Sequence, residues 1–303
     1  MDRIGFVGVG TMGGPMCRRL VAAGHEVRAF DRDEAALATV VEAGAVAAAS
    51  AVDAAAGAEL FLTSLPHPRH VEAVMVGDGA LDAVEPGAVW IDLTTNRAQL
   101  VRDLAAAAPA GVDVVDSPVT GAVDGARTGK LTLFVGGEPT VRDRVRPTLE
   151  QLGLVIDCGG LGTGNVVKLV TNQLWFVAAA ALGEGFATGL ANGVDLATLW
   201  AAIKASVGDS FVARHDAPSI FAGHYDPSFP LDLCVKDLGL LADLEAEVGT
   251  DLPMTAAARQ TFQRAADRYG LAAGELHVAR RIEDDAGLPM RLDGDWTPHW
   301  EAQ

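Results

Sequence analysis

The sequence predicts an α/β N-terminal half, built on a doubly wound parallel sheet, joined by a long helix to an all-α C-terminal half. Three observations carry that expectation. Strand-like and helix-like stretches alternate from Ile4 to Cys158. The run Gly159-Gly160-Leu161-Gly162-Thr163-Gly164 then punctuates the chain. Beyond it strand signals vanish, and one long, largely apolar helix opens a helical region.

The elements follow in order. Ile4–Val9 reads as a strand that runs straight into a glycine turn, in which Gly8, Gly10 and Gly13 form GxGxxG. A helix-like stretch from Thr11 through Leu20 follows, and then a second strand, Glu26–Asp31. In that context each glycine has a physical use. Gly8 permits a tight turn, Gly10 lets a pyrophosphate approach the backbone, and Gly13 lets the helix pack close to the strand. The helix N-terminus then points its N–H groups at the phosphates. Asp31 stands about twenty residues beyond the glycines, where a ribose is expected. This is the arrangement of a dinucleotide-binding Rossmann domain. Further strands are expected at Leu60–Leu65, Val89–Leu93, Val112–Val115, Leu131–Val135 and Val155–Cys158, with helices such as Glu34–Ala43 and Pro68–Val76 between them. The Rossmann domain is assigned to residues 1–161 and the helical domain to 162–303. The latter begins with a linking helix over 165–192, apolar nearly all round and so expected to be buried against several neighbours. Leu196–Ile203, Leu231–Glu247, Met254–Tyr269 and Glu275–Asp284 read as further helices. Trp296 and Trp300 of the tail are expected to anchor it to a surface.

Composition narrows the function. The chain has 303 residues, half of them AVILMFWYC, with a net charge of −17 and a pI near 4.7. That acidity disfavours nucleic acid and anionic membranes, which need basic faces. It also means that an acidic substrate needs a local cationic site. Cys17, Cys158 and Cys234 lie far apart with no CxxC spacing, so they read as reduced, packed thiols of a cytoplasmic protein. The N-terminus enters a strand without a basic leader, so no signal peptide is expected. Glu184 interrupts the apolar stretch around Ala178–Leu182, which therefore reads as a buried helix and not a membrane span. No metal site is expected.

Two clusters carry candidate chemistry. Lys168 and Asn172 stand at i and i+4 of the linking helix, on one face. A helical lysine is ordinarily a solvated charge, but Val166, Val167, Leu169 and Val170 surround this one in sequence. Such an ammonium either snorkels or lies in a cleft, where desolvation makes it easier to deprotonate. In a cleft it could exchange a proton with an alcohol or carbonyl while Asn172 orients the oxygen. The second cluster, Asp116-Ser117-Pro118-Val119-Thr120-Gly121-Ala122, ends a strand, where ligands of open α/β sheets bind. It is either an ordinary turn or a nest in which Thr120 and the following N–H groups hold a carboxylate. Ser64-Leu65-Pro66 and Thr94-Thr95-Asn96 end strands on the same sheet edge, beside the expected cofactor.

Together these residues resemble the β-hydroxyacid dehydrogenase family, which includes 3-hydroxyisobutyrate dehydrogenases. The motifs are Gly8–Met16, Asp116–Gly137, Gly162-Thr163-Gly164 with Lys168 and Asn172, and Lys236-Asp237-Leu238, in the family's order. The resemblance runs from Ile4 to about Pro253, and more weakly to Arg291. It implies an oxidoreductase that moves a hydride between a nicotinamide cofactor and a small β-hydroxy acid or its semialdehyde. Lys168 then matches the catalytic lysine and Asn172 the asparagine beside it. Thr11, Met12, Asp31, Leu65, Pro66 and Thr95 match cofactor positions, and Lys236 a lysine that closes over the cofactor. Thr120, Gly121 and Ala122 replace the family's usual Ser-Gly-Gly, adding two methyl groups where the substrate's acid end is expected. Thr171 replaces the first of the family's asparagine pair, and His67 and His70 match no motif and read as surface or structural. NAD is favoured over NADP: Asp31 suits ribose hydroxyls and repels a 2′-phosphate, although the adjacent Arg32 could hold one. A homodimer or homotetramer is expected. Imine reductases, and cofactor-binding modules without turnover, are the alternatives. The presence of Lys168 weighs against both.

Overall fold

The computed structural model describes residues 2–296. Its chain divides into two compact units, the boundary falling between Lys168 and Leu169.

The first unit is built on β1 (Arg3–Val7), α1 (Gly13–Ala22), β2 (Glu26–Phe30), α2 (Glu34–Glu42), β3 (Val46–Ala47), α3 (Ala51–Ala55), β4 (Leu60–Thr63) and α4 (Pro68–Glu72). After a π-helical turn at Ala73–Gly77 come α5 (Ala80–Ala83), β5 (Val89–Asp92), α6 (Ala98–Ala107) and β6 (Asp113–Asp116). A hairpin-like insert follows: β7 (Val119–Thr120), α7 (Ala122–Thr128) and β8 (Leu131–Gly136). The unit closes with α8 (Pro139–Leu149) and β9 (Gly153–Gly159). The strands lie in the order β3-β2-β1-β4-β5-β6-β8-β7, with β9 paired to β8. The pairs from β3 to β6 are parallel, and β8 runs antiparallel to β6 and β7. The order 3-2-1-4-5-6 is that of a doubly wound sheet, and its reversal falls between β1 and β4, where the glycine turn emerges.

Alternating residues explain the two apolar clusters of this unit. Leu60, Leu62, Val89 and Ile91 pack with Met16 and Leu20 of α1, whereas Phe61 and Trp90 between them pack with Ala51 and Val101. Strand side chains point to opposite faces in turn, so a fully apolar strand covered by helices on both faces feeds both clusters.

The α9 helix (Thr163–Ala191) runs on into the second unit. There α10 (Leu196–Lys204), a π-helical turn at Val212–Asp216, α11 (Ala217–Ala222), α12 (Leu231–Val248), α13 (Pro253–Tyr269) and α14 (His277–Ala286) form a helical unit. Phe176, Phe186, Phe221, Leu238 and Phe262 lie at its centre. The α9 helix is long and apolar enough to cross a membrane by length and composition, and 33% of its most apolar window is buried. The expected burial against several neighbours holds for part of the helix only. Leu169, Phe176 and Phe186 enter the core, but Val170 and Leu174 are exposed, because only one side of the helix meets the helices that follow. Trp296 packs on Trp200 and Phe221, with ring centroids 5.9 and 5.8 Å apart, and so ties the tail to the helical unit. Trp300 lies outside the described residues.

The thiols also need one correction. Cys17 and Cys234 are buried as expected, and burial pushes the Cys17 thiol up to about 12 and Cys234 well above its ordinary value. Cys158 is only half-buried, since it sits near the end of β9.

Candidate active site

The glycine turn has the shape a dinucleotide needs. Gly8 adopts a left-handed φ of +88°, which favours glycine. A Cβ on Gly13 would collide with the Gly8 carbonyl, so α1 can approach the turn only with glycine there. Gly10 differs: a Cβ there would meet no protein atom within 4 Å. Nothing in the protein therefore crowds this position, and the open space fits a group laid against the backbone from outside. The exposed Gly10 and Thr11 and half-buried Met12 lead into the N-terminus of α1, which has no acidic residue in its first turn to oppose an anion.

Asp31 is tied directly to this turn. Its Oδ2 accepts the Val9 N–H at 2.7 Å, and its Oδ1 accepts the Asp33 N–H at 2.9 Å. The carboxylate thus stands against the glycine turn with lone pairs still available on both oxygens. Arg32 is exposed, and its Nη2 lies 3.4 Å from Asp78 Oδ2. Leu65, after β4, donates its N–H to Thr94 Oγ1 at 3.0 Å. Pro66 is exposed and Thr95 half-buried at the neighbouring strand end.

A buried polar network unites these strand ends, and the sequence reading missed most of it. Asp92, at the end of β5, accepts from Thr63 Oγ1 at 2.9 Å, the Thr94 N–H at 3.1 Å and Asn96 Nδ2 at 2.9 Å. Burial pushes the Asp92 carboxyl up to about 6, against the opposing effect of those donors. Asn165 Oδ1 accepts the Asn96 N–H at 2.7 Å. Asp116, at the end of β6, accepts the Gly162 N–H on Oδ1 at 2.6 Å. Its Oδ2 accepts the Asn165 N–H at 2.7 Å and Asn165 Nδ2 at 3.1 Å. Asp116 therefore satisfies backbone donors around the first turn of α9, groups that a helix cannot satisfy itself. Burial raises its carboxyl above the usual range although these bonds pull it down. The only signal in the sequence was an acid at the end of each apolar strand.

Lys168 is one turn beyond Asn165 on α9 and is 6% exposed. Asn172 follows on the same face and is 3% exposed. Asn172 Nδ2 donates to Asp237 Oδ2 at 2.6 Å. The Lys236 ammonium lies 3.1 Å from Asp237 Oδ1. Asp237 on α12 thus orients the amide of Asn172 and partners Lys236, a role the Lys236-Asp237-Leu238 motif carried without revealing it.

The other predicted loop follows β6. Thr120 ends β7 and pairs with Thr132 of β8. Gly121 has φ +121°, and Ala122, the first residue of α7, has φ +54°. A left-handed alanine is uncommon, so its methyl is held in place at an energetic cost. His67 is buried and packs edge-on against His70, with ring centroids 5.3 Å apart. Among the described residues no group of acids, histidines and cysteines could hold a metal.

Comparison with known proteins finds relatives along most of the chain. Residues 3–160 match the family described as the NAD binding domain of 6-phosphogluconate dehydrogenase. Residues 162–282 match that described as NAD-binding of NADP-dependent 3-hydroxyisobutyrate dehydrogenase. A 3-hydroxyisobutyrate dehydrogenase of Pseudomonas aeruginosa is 36% identical over 299 residues, covering 94% of this chain and 100% of that protein. A 2-(hydroxymethyl)glutarate dehydrogenase of Eubacterium barkeri is 37% identical over 265 residues, covering 86% and 88%. The structure of Mycobacterium tuberculosis 3-hydroxyisobutyrate dehydrogenase with L-serine superposes with a TM-score of 0.86 at 30% identity, covering 93% of this chain and 99% of that one.

Proposed function

This chain belongs to the 3-hydroxyisobutyrate dehydrogenase family, and from that premise we propose an NAD-preferring dehydrogenase of a small β-hydroxy acid or its semialdehyde. Its relatives are oxidoreductases of CH–OH groups, and its cofactor is NAD or NADP. When bound, the nicotinamide supplies the hydride acceptor or donor.

The chain's own residues supply the proton and the orientation. Lys168 Nζ takes the proton of the substrate hydroxyl in oxidation and returns it to the carbonyl oxygen in reduction. Asn172, its amide fixed by the 2.6 Å bond to Asp237, orients the substrate oxygen. Thr120, Gly121 and Ala122 receive the acid end, where the Ala122 methyl narrows the space. Asp31 accepts from ribose hydroxyls, which favours NAD. The observation that carries this reading is the burial of Lys168 one turn beyond a helix start held by Asp116. A lysine so placed serves a site and not the solvent. We assign the cofactor domain to residues 1–161 and the helical domain to 162–303, and expect a cytoplasmic homodimer or homotetramer.

The test is a screen of three- and four-carbon β-hydroxy acids and semialdehydes with NAD(H) and NADP(H), read by nicotinamide absorbance. The reading expects turnover of at least one β-hydroxy acid with NAD. Turnover confined to α-hydroxy acids or to imines would overturn it.

A further inference from the structure

We propose that Asp78 is a cofactor-selectivity residue, which favours NAD by occupying Arg32, the guanidinium that would otherwise hold the 2′-phosphate of NADP. The proposal rests on the nicotinamide-cofactor reading above and is independent of the substrate.

The geometry lies within the first unit. Asp31 is fixed against the glycine turn by the Val9 N–H at 2.7 Å, which marks the ribose end of a bound dinucleotide. A 2′-phosphate at that end needs a nearby cation, and Arg32 is the next residue. The Arg32 guanidinium is not idle. Its Nη2 lies 3.4 Å from Asp78 Oδ2, with the two side chains 73% and 43% exposed. Asp78 comes from a distant stretch of chain with a fixed backbone. Its N–H donates to the Ala73 carbonyl at 2.7 Å, closing the π-helical turn, and Gly79 follows with a left-handed φ of +81°.

The charges then decide the outcome. Asp78 pairs with the guanidinium, while Asp31, the preceding residue, turns its carboxylate to the Val9 N–H, so the three groups together carry one net negative charge. A 2′-phosphate adds between about one and a half and two further negative charges. For Arg32 to bind it, the guanidinium must leave Asp78, or else bring phosphate and carboxylate together on one cation. A bare ribose hydroxyl asks neither. Sequence alone placed the whole choice on the opposition of Asp31 and Arg32; the structure adds the residue that resolves it. It follows that substitution of Asp31 by itself leaves Arg32 engaged.

The test measures binding without substrate. The full-length protein, Asp78→Asn, Asp78→Ser and the double variant Asp78→Asn/Arg32→Ala are titrated with NADH and NADPH, read by nicotinamide fluorescence. Both single variants are expected to lower the ratio of the NADPH Kd to the NADH Kd by about threefold to tenfold, as befits an exposed pair. The shift should shrink at high salt, and the double variant should lose it. An unchanged ratio in both single variants, or a shift that survives without Arg32, would overturn the proposal while leaving the cofactor reading intact. Failure of the wild-type protein to bind either reduced cofactor would overturn both.

Discussion

Replacing Asp116 by Asn tests whether the start of α9 is held from the end of β6. The carboxylate is fully buried and accepts the backbone N–H of Gly162 on one oxygen and that of Asn165 on the other, at 2.6 and 2.7 Å. An amide has one oxygen, so in either rotamer one of those two N–H groups faces an NH2. The lost charge-assisted bond is worth about 1.5–3 kcal/mol, and a stranded buried donor costs about 1–3 kcal/mol more. Against this, the amide escapes the burial cost that raises the Asp116 carboxyl. The net loss is then about 2–4 kcal/mol. For a domain of this size that lowers Tm by roughly 5–15 °C. Thermal unfolding followed by circular dichroism at pH 7 reads the stability. Turnover at 25 °C, where the variant is still folded, reads the consequence for Lys168, which shares the helix. Displacing a catalytic group by about 1 Å can cost on the order of a hundredfold in rate, so kcat should fall by at least about tenfold. A variant within about 2 °C of the wild-type Tm, with unaltered kcat, would refute the claim that Asp116 holds this helix.

Lys168→Ala should lower kcat by on the order of 10²–10⁴-fold with little change in the NAD Kd, and near-normal turnover would sink the proton-transfer role. Ala122→Gly relieves the left-handed φ of +54°. It should raise stability in urea by about 0.5 kcal/mol, because removing the strain outweighs the extra freedom of the unfolded chain. It should also shift the ranking of acids in a kcat/KM comparison; an unchanged ranking would show that the loop does not set specificity. Asp92 has a folded-state carboxyl raised from 3.8 to about 6, so the folded protein binds the extra proton between those values. Its contribution to stability is therefore present below the unfolded value and lost as pH rises through the folded one. The stability of wild type relative to Asp92→Asn should rise as pH falls through that window, and a pH-independent difference in denaturant titrations would contradict it.

The parts of the fold that were legible depended on short-range patterns. Leu60 to Thr63 and Val89 to Asp92 are buried on both faces, so they read as plain apolar strands. The helix predicted over Pro68–Val76 breaks at Glu72 into a π-helical turn, because nothing in its period records the extra residue. The insert from Val119 to Thr128 mixes apolar residues, glycines and polar residues over a strand of 2 residues and a helix of 7, too short to show a readable period. For the candidate site, single residues were legible and their couplings were not. Lys168, Asn172 and Asp31 could be singled out from neighbours in sequence. Asp116 with Gly162, Asn96 with Asn165, Asn172 with Asp237 and Arg32 with Asp78 join residues 46 to 69 positions apart. Such pairs have no local signature, since either partner alone is an ordinary polar residue at an element's end. Yet buried polar groups must find partners. An acid ending a fully apolar strand is therefore already a statement that a donor arrives from elsewhere, and at the ends of both β5 and β6 the chain that arrives includes the first turn of the lysine-bearing helix or the residue that binds it.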